Sequence, residues 1–142
     1  MSAASWIGVR RWLLLLPAVA VILSGLTAGC GSSPPAYCTA SSQLKTSVHD
    51  LGQVNVRKNG LSSLQAALSK VQTSAHTFIA DAKGAFPSQI TALKNSLSSL
   101  ETSIKSAKGQ PPLTAVETVA SSLTQVKNSA SDLENAASAK CQ

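Results

Sequence analysis

Few residues of this chain are able to do chemistry. Two histidines, His49 and His76, and six acidic residues, Asp50, Asp81, Glu101, Glu117, Asp132 and Glu134, are the candidates for proton transfer. A general base must reach the proton it takes, and a nucleophile must lie beside its base. His49 and Asp50 are neighbours in sequence, and adjacent positions on a helix do not face each other. His76 follows Ala75 and stands two before Phe78, off the apolar stripe described below, so both histidines are expected on the surface. The carboxylates are scattered, and no Glu-x-x-His pair of a di-iron bundle occurs. Twenty serines follow position 30, so a nucleophile is always imaginable and carries no specificity. No glycine-rich phosphate loop is present. Three cysteines, Cys30, Cys38 and Cys141, form no CxxC, and neither histidine stands at ligand spacing from any of them. The expectation is no catalytic residue, no metal and no cofactor, in a protein that is not an enzyme.

The elements that would position any such groups come from a chain of 142 residues, one domain at most. It carries twelve Lys+Arg against six Asp+Glu, with 44% apolar and only 13% charged residues. Arg10 and Arg11 stand at the front; without them ten basic and six acidic residues remain, a net charge of +4. The lysines after position 40 are spaced out rather than clustered, with no basic patch interleaved with aromatic residues, so nucleic-acid binding is not expected. Serine and threonine supply 29 of the last 113 residues, where most soluble helices place Glu and Lys.

The front of the chain has its own pattern. A short segment ends in Arg10-Arg11, an apolar run of twelve follows from Trp12 to Leu23, and small residues precede Cys30. Positive charge, apolar run and small residues before a cut site form a secretory signal. The ending Leu26-Thr27-Ala28-Gly29-Cys30 resembles the lipobox of bacterial lipoproteins, with Thr27 where an aliphatic residue is usual. The resemblance implies that residues 1–29 are a signal peptide, that a diacylglycerol is attached to the Cys30 thiol, and that Cys30 becomes the mature N-terminus. It implies an extracytoplasmic protein held on the cell membrane by lipid, the acyl chains (palmitate and the like) contributing about 0.8 kcal/mol per buried methylene. Residues 30–37, with Gly31-Ser32-Ser33-Pro34-Pro35-Ala36, then read as a charge-free tether. Arg10-Arg11-Trp12-Leu13-Leu14 also resembles the core of a twin-arginine export signal, with Val9 in place of the usual polar residue. A retained membrane helix is the alternative to cleavage, but a bilayer core needs roughly 20 apolar residues and this run is shorter.

Lipidating Cys30 leaves Cys38 and Cys141 as a pair. Outside the cytoplasm such a pair is expected to be oxidised. From Thr39 onward the apolar residues recur at three and four. Leu44, Val48 and Leu51 mark a first stripe; Leu61, Leu64, Leu68, Val71, Ala75, Phe78 and Ala82 a second. Ile90, Leu93, Leu97, Leu100 and Ile104 mark a third; Val116, Val119, Leu123, Val126, Ala130, Leu133 and Ala137 a fourth. Steps of 3-4-3-4 are the seam of coiled-coil-like packing, which no single helix buries alone. Asn59-Gly60 separates the first two stripes, while Gly52, Val54 and Val56 fit no clean period, so the first helix is expected to end or bend within 52–59. Lys83-Gly84 and Lys108-Gly109 read as helix ends, and Pro87 as a first-turn proline. Pro111-Pro112 stop any continuation, and Thr114-x-x-Glu117 fits a capping box.

The predicted fold of residues 38–142 is therefore all-α: an antiparallel up-down four-helix bundle closed by a Cys38–Cys141 disulfide and preceded by the signal peptide. Four such helices bring both ends together, whereas three would leave them some 30 Å apart. Disulfide cysteines need Cα atoms within about 7 Å. The chain is similar to small uncharacterised lipoproteins of actinobacteria, in its Gly29-Cys30-Gly31-Ser32-Ser33 start, its Ser/Thr/Ala-rich amphipathic helices and its final cysteine. The first functional expectation is a lipid-anchored, non-enzymatic binding or structural module of the cell envelope that contacts another protein or a wall polymer. The alternative is a carrier or sensor of an apolar ligand held between the helices, where Ala75, Ala82, Ala130 and Ala137 would leave room.

Overall fold

The structure is a computed structural model, and it describes residues 33–142. The expected signal peptide over 1–29, the lipidated Cys30 and the first part of the tether lie outside the described residues. Within them the chain is all-helical, with no strand: α1 (Ala36–Gly52), α2 (Val56–Ala82), α3 (Pro87–Ala107) and α4 (Pro112–Ser138). Ala36 and Tyr37, placed in the tether by sequence, belong to the first turn of α1.

Each helix exists because it has one apolar face to bury. In α2 the buried residues Leu64, Leu68, Val71, Ala75, Phe78 and Ala82 step 4-3-4-3-4, as the periodicity predicts. α1 buries Ala40, Leu44, Val48 and Leu51, and α3 buries Ile90, Leu93, Leu97, Leu100 and Ile104. These faces meet in one helical bundle: α1 packs on α2 and α4, α3 packs on α4, and α2 touches α3 and α4. Half-buried hydroxyl pairs join neighbours, Ser47 to Ser74 and Ser103 to Ser122, each at 2.7 Å between oxygens. An ion pair between Lys45 and Glu134 ties α1 to α4.

The hydroxyl-rich surface has a local explanation. Thr46, Ser69, Thr73, Thr102 and Thr124 each donate their hydroxyl to the carbonyl four residues back, at 3.0–3.1 Å. Side chains that would otherwise compete with the helix for backbone partners are thereby satisfied along it.

The chain ends meet. Cys38 lies in the first turn of α1 and Cys141 just beyond α4; their Cα atoms are 5.9 Å apart and a disulfide joins them across 103 residues. Three aromatic rings collect at the same place. Tyr37 meets Phe86 edge-on at 5.4 Å and Phe78 at 6.3 Å, and Phe78 and Phe86 are 5.9 Å apart. The Lys140 ammonium sits 5.9 Å from the Phe86 ring, within cation–π range.

Three places in the chain bear on the sequence expectation for the helix ends and seams. α1 ends at Gly52 and α2 starts at Val56, where the Asn55 side chain accepts from the Lys58 amide at 3.0 Å. The separation expected at Asn59-Gly60 is present as a break in the helical backbone at Gly60, α1 ends within the irregular segment at Gly52, and Asn55 caps the single turn between them. Gly60 marks a kink inside α2, with φ 75° and ψ 174°, a conformation open essentially to glycine alone. A Cβ there would meet only the Ser62 hydroxyl, at 4.0 Å, so the obstacle is backbone conformation and not space. Gly60→Ala is expected to lower stability by about 1–3 kcal/mol. A urea midpoint unchanged from wild type would mean that the kink relaxes into regular helix.

The second place is the start of α4, which differs from the expectation. Pro112 takes its first position behind Pro111, so Thr114 lies inside the helix and the Thr114–Glu117 capping box does not form. The Thr114 carbonyl instead accepts from the Thr118 hydroxyl at 2.9 Å. A proline with φ already helical opens the helix two residues before the threonine can act as a cap. The third is the α4 seam, where Ala115 and Ser122 are buried and Val116 and Leu123 only half-buried. The Ser103–Ser122 bond lets α3 and α4 approach on the face with the smaller side chains.

Candidate functional site

The largest opening described is a surface groove of about 530 Å³ between α2 and α3. Ser69, Gln72, Thr73 and His76 of α2 form one wall; Lys94, Ser98 and Glu101 of α3 form the other. Ala75, Ile79 and Leu97 make an apolar floor. The walls follow from helix geometry: 69, 72, 73 and 76 share a face, as do 94, 98 and 101, each beside the buried seam. Ala75 is 4% exposed and ends at Cβ, which keeps the floor low.

His76 is exposed, as its off-seam position predicts, and it is the one histidine the fold brings to this groove. Glu101 is taken up by Lys105, one turn on, at 2.7 Å. The Lys105 hydrogen bond, and then its charge, hold the Glu101 carboxyl below the usual carboxylate range. Glu101 is therefore an anion near neutral pH. A carboxyl whose pKa is depressed on folding favours the folded state above its ordinary pKa and loses that preference as pH falls through the lower value. On so exposed a pair the effect on stability is small.

His49 stands at the end of α1, and here the sequence expectation needs correction. Its Nδ1 lies 3.7 Å from the Asp50 Oδ1, although adjacent helix positions point about 100° apart. Both side chains are mostly exposed, at 69% and 61%, and free of packing that would hold them apart. No groove described here contains them. Among the described residues no three His, Cys, Asp or Glu side chains gather to hold a metal ion, and no helix is long and apolar enough to cross a membrane.

The alanines expected to leave room for an apolar ligand, Ala75, Ala82, Ala130 and Ala137, are all buried, at 6% exposure or less. Sequence reasoning overlooked Gln72, Lys94 and Glu101 as groove residues. Their signal was a polar stripe at helical spacing next to each seam; that two such stripes face one another is a property of packing. The groove offers amide, ammonium, imidazole, hydroxyl and carboxylate groups over an apolar strip, an arrangement suited to binding an extended polar segment. No protein-family model, no curated protein and no solved structure matches this chain.

Proposed function

We propose that this chain is a lipid-anchored protein of the bacterial cell envelope, a non-enzymatic binding or structural module that contacts another protein or a wall polymer. The disulfide between Cys38 and Cys141 carries the reading: such bonds persist in oxidising compartments outside the cytoplasm, and this one accounts for every cysteine except Cys30. The lipobox-like Leu26-Thr27-Ala28-Gly29-Cys30 then provides the anchor through Cys30, eight residues before the bridge. A signal peptide over 1–29 precedes it, and the mature protein sits outside the membrane, close to the bilayer.

The same proposal takes the bundle as antiparallel and up-down. It is supported by the meeting of Cys38 with Cys141, and of Tyr37, Phe78, Phe86 and Lys140, at one end of their helices.

Cys30→Ala is expected to move the protein from the membrane pellet to the soluble fraction, and mass spectrometry of the native mature N-terminus to show a diacylglyceryl cysteine. An unmodified Cys30 in native membranes would overturn the anchor. Photocrosslinking in cells from Ser98 at the groove should return a wall fragment or an envelope protein; crosslinks no richer than those from a site on the far side of the bundle would remove the groove as the binding face.

A further inference from the structure

α4 carries two apolar stripes. Ala115, Val119, Ser122 and Val126 are buried in the core. One residue out of phase, Leu113, Val116, Ala120 and Leu123 step 3-4-3 along its rim: Leu113 is 54% exposed, Ala120 is exposed, Val116 is half-buried, and Leu123 is half-buried with one side against the core. The larger side chains are thus on the outer stripe, the smaller ones in the core. Val116, Ala120 and Leu123 face the α1–α2 connection across a groove of about 400 Å³, whose other side is Val54, Val56 and Arg57. Val54 and Val56 are the residues that fit no helical period in the sequence.

A 3-4-3 stripe along some 15 Å of helix is the surface one helix offers to another. Its flank toward the α1–α2 connection is cationic, while Glu117 stands on the opposite flank, four residues after Leu113 and three before Ala120. Arg57 lines the groove, Lys58 is next to it, and Lys127 is the next step of the stripe, its Cδ 3.8 Å from where a Cβ on Gly52 would stand. None of the three has a carboxylate within ion-pair distance among the described residues. A second copy of the chain would bring the same cations to the same place.

We propose that this groove docks an amphipathic helix of another protein, with aliphatic residues at 3-4 spacing laid along Leu113–Leu123 and acidic residues flanking them toward Arg57 and Lys127. The mode is helix-in-groove recognition, the aliphatic contacts giving affinity and the charges orientation and specificity. It is independent of the lipid anchor and of the α2–α3 groove.

The probe is a labelled peptide of about three heptads with leucine at the a and d positions and glutamate at e and g, against a control with lysine at e and g. Fluorescence anisotropy with the purified chain should give binding of the glutamate peptide and at least about tenfold weaker binding of the lysine peptide. Ala120→Glu, and separately Arg57→Glu with Lys127→Glu, should each weaken binding about tenfold or more, with the melting temperature unchanged because these side chains lie outside the core. Equal binding of both peptides, binding of neither, or full binding by A120E overturns the proposal. So do phosphatidylglycerol vesicles that bind wild type and not A120E, which would make the groove a lipid contact. A dimer of the chain that A120E dissolves would assign it to a second copy.

Discussion

Reducing the Cys38–Cys141 bridge is expected to lower the melting temperature by about 10–20 °C. The bridge closes a loop of 103 residues, nearly the whole helical region. Cross-linking so long a loop removes conformations from the unfolded chain, worth up to ~4.7 kcal/mol in the chain-entropy model and typically about 2–4 kcal/mol in practice. In a domain of this size each kcal/mol moves the midpoint by roughly 4–5 °C. The core it assists is lean, with Ala75, Ala82, Ala107, Ala115, Ala130 and Ala137 at buried positions. Circular dichroism melts with and without reductant, and of the Cys38→Ala/Cys141→Ala double variant, measure the effect. Reduced and variant proteins should melt alike, and superimposable oxidised and reduced curves would show that loop closure adds nothing.

Phe78→Ala has the largest expected effect of any single core substitution. Phe78 is fully buried and contacts both other rings, Tyr37 at 6.3 Å and Phe86 at 5.9 Å. Removing such a ring costs about 3–5 kcal/mol in lost transfer energy and residual cavity. Pairing between rings adds roughly 0.5–1.5 kcal/mol. Domains have only about 5–15 kcal/mol in all, so the variant should lose much of its stability in urea and unfold at ambient temperature once the disulfide is reduced. Phe78→Leu, which keeps most of the volume, should cost markedly less. Equal midpoints for the two variants would show that the site collapses around the smaller residue and that the rings contribute little as a cluster.

The two effects meet at one end of the bundle. Phe86 holds φ 61° immediately before Pro87, a left-handed conformation unusual for a bulky residue. Only 7% of it is exposed, and its contacts with Tyr37, Phe78 and the Lys140 ammonium hold it there. Loss of Phe78 removes one of those contacts, so the α2–α3 turn should loosen with it.

Much of this protein is legible in its residues taken singly and in their spacing. The steps along Leu64–Ala82 and Ile90–Ile104 describe helices because a 3.6-residue repeat is a local property, and those faces are the ones buried. Pro87 opens α3, and the Cys38–Cys141 pair is implied once four helices return the chain to its start. Packing decided the rest. On α4 two apolar stripes lie about 100° apart, and periodicity cannot choose between them; the close approach of α3 at Ser103 and Ser122 turned Ala115 and Ser122 inward and left Val116 and Leu123 half-buried at the rim of the core. The first position of α4 went to Pro112 and not to a capped Thr114, because a preset φ competes directly with a side-chain hydrogen bond. Both grooves have the same origin: each wall is a stripe that one helix specifies alone, but which stripes face each other depends on how the helices rotate to bury the rest.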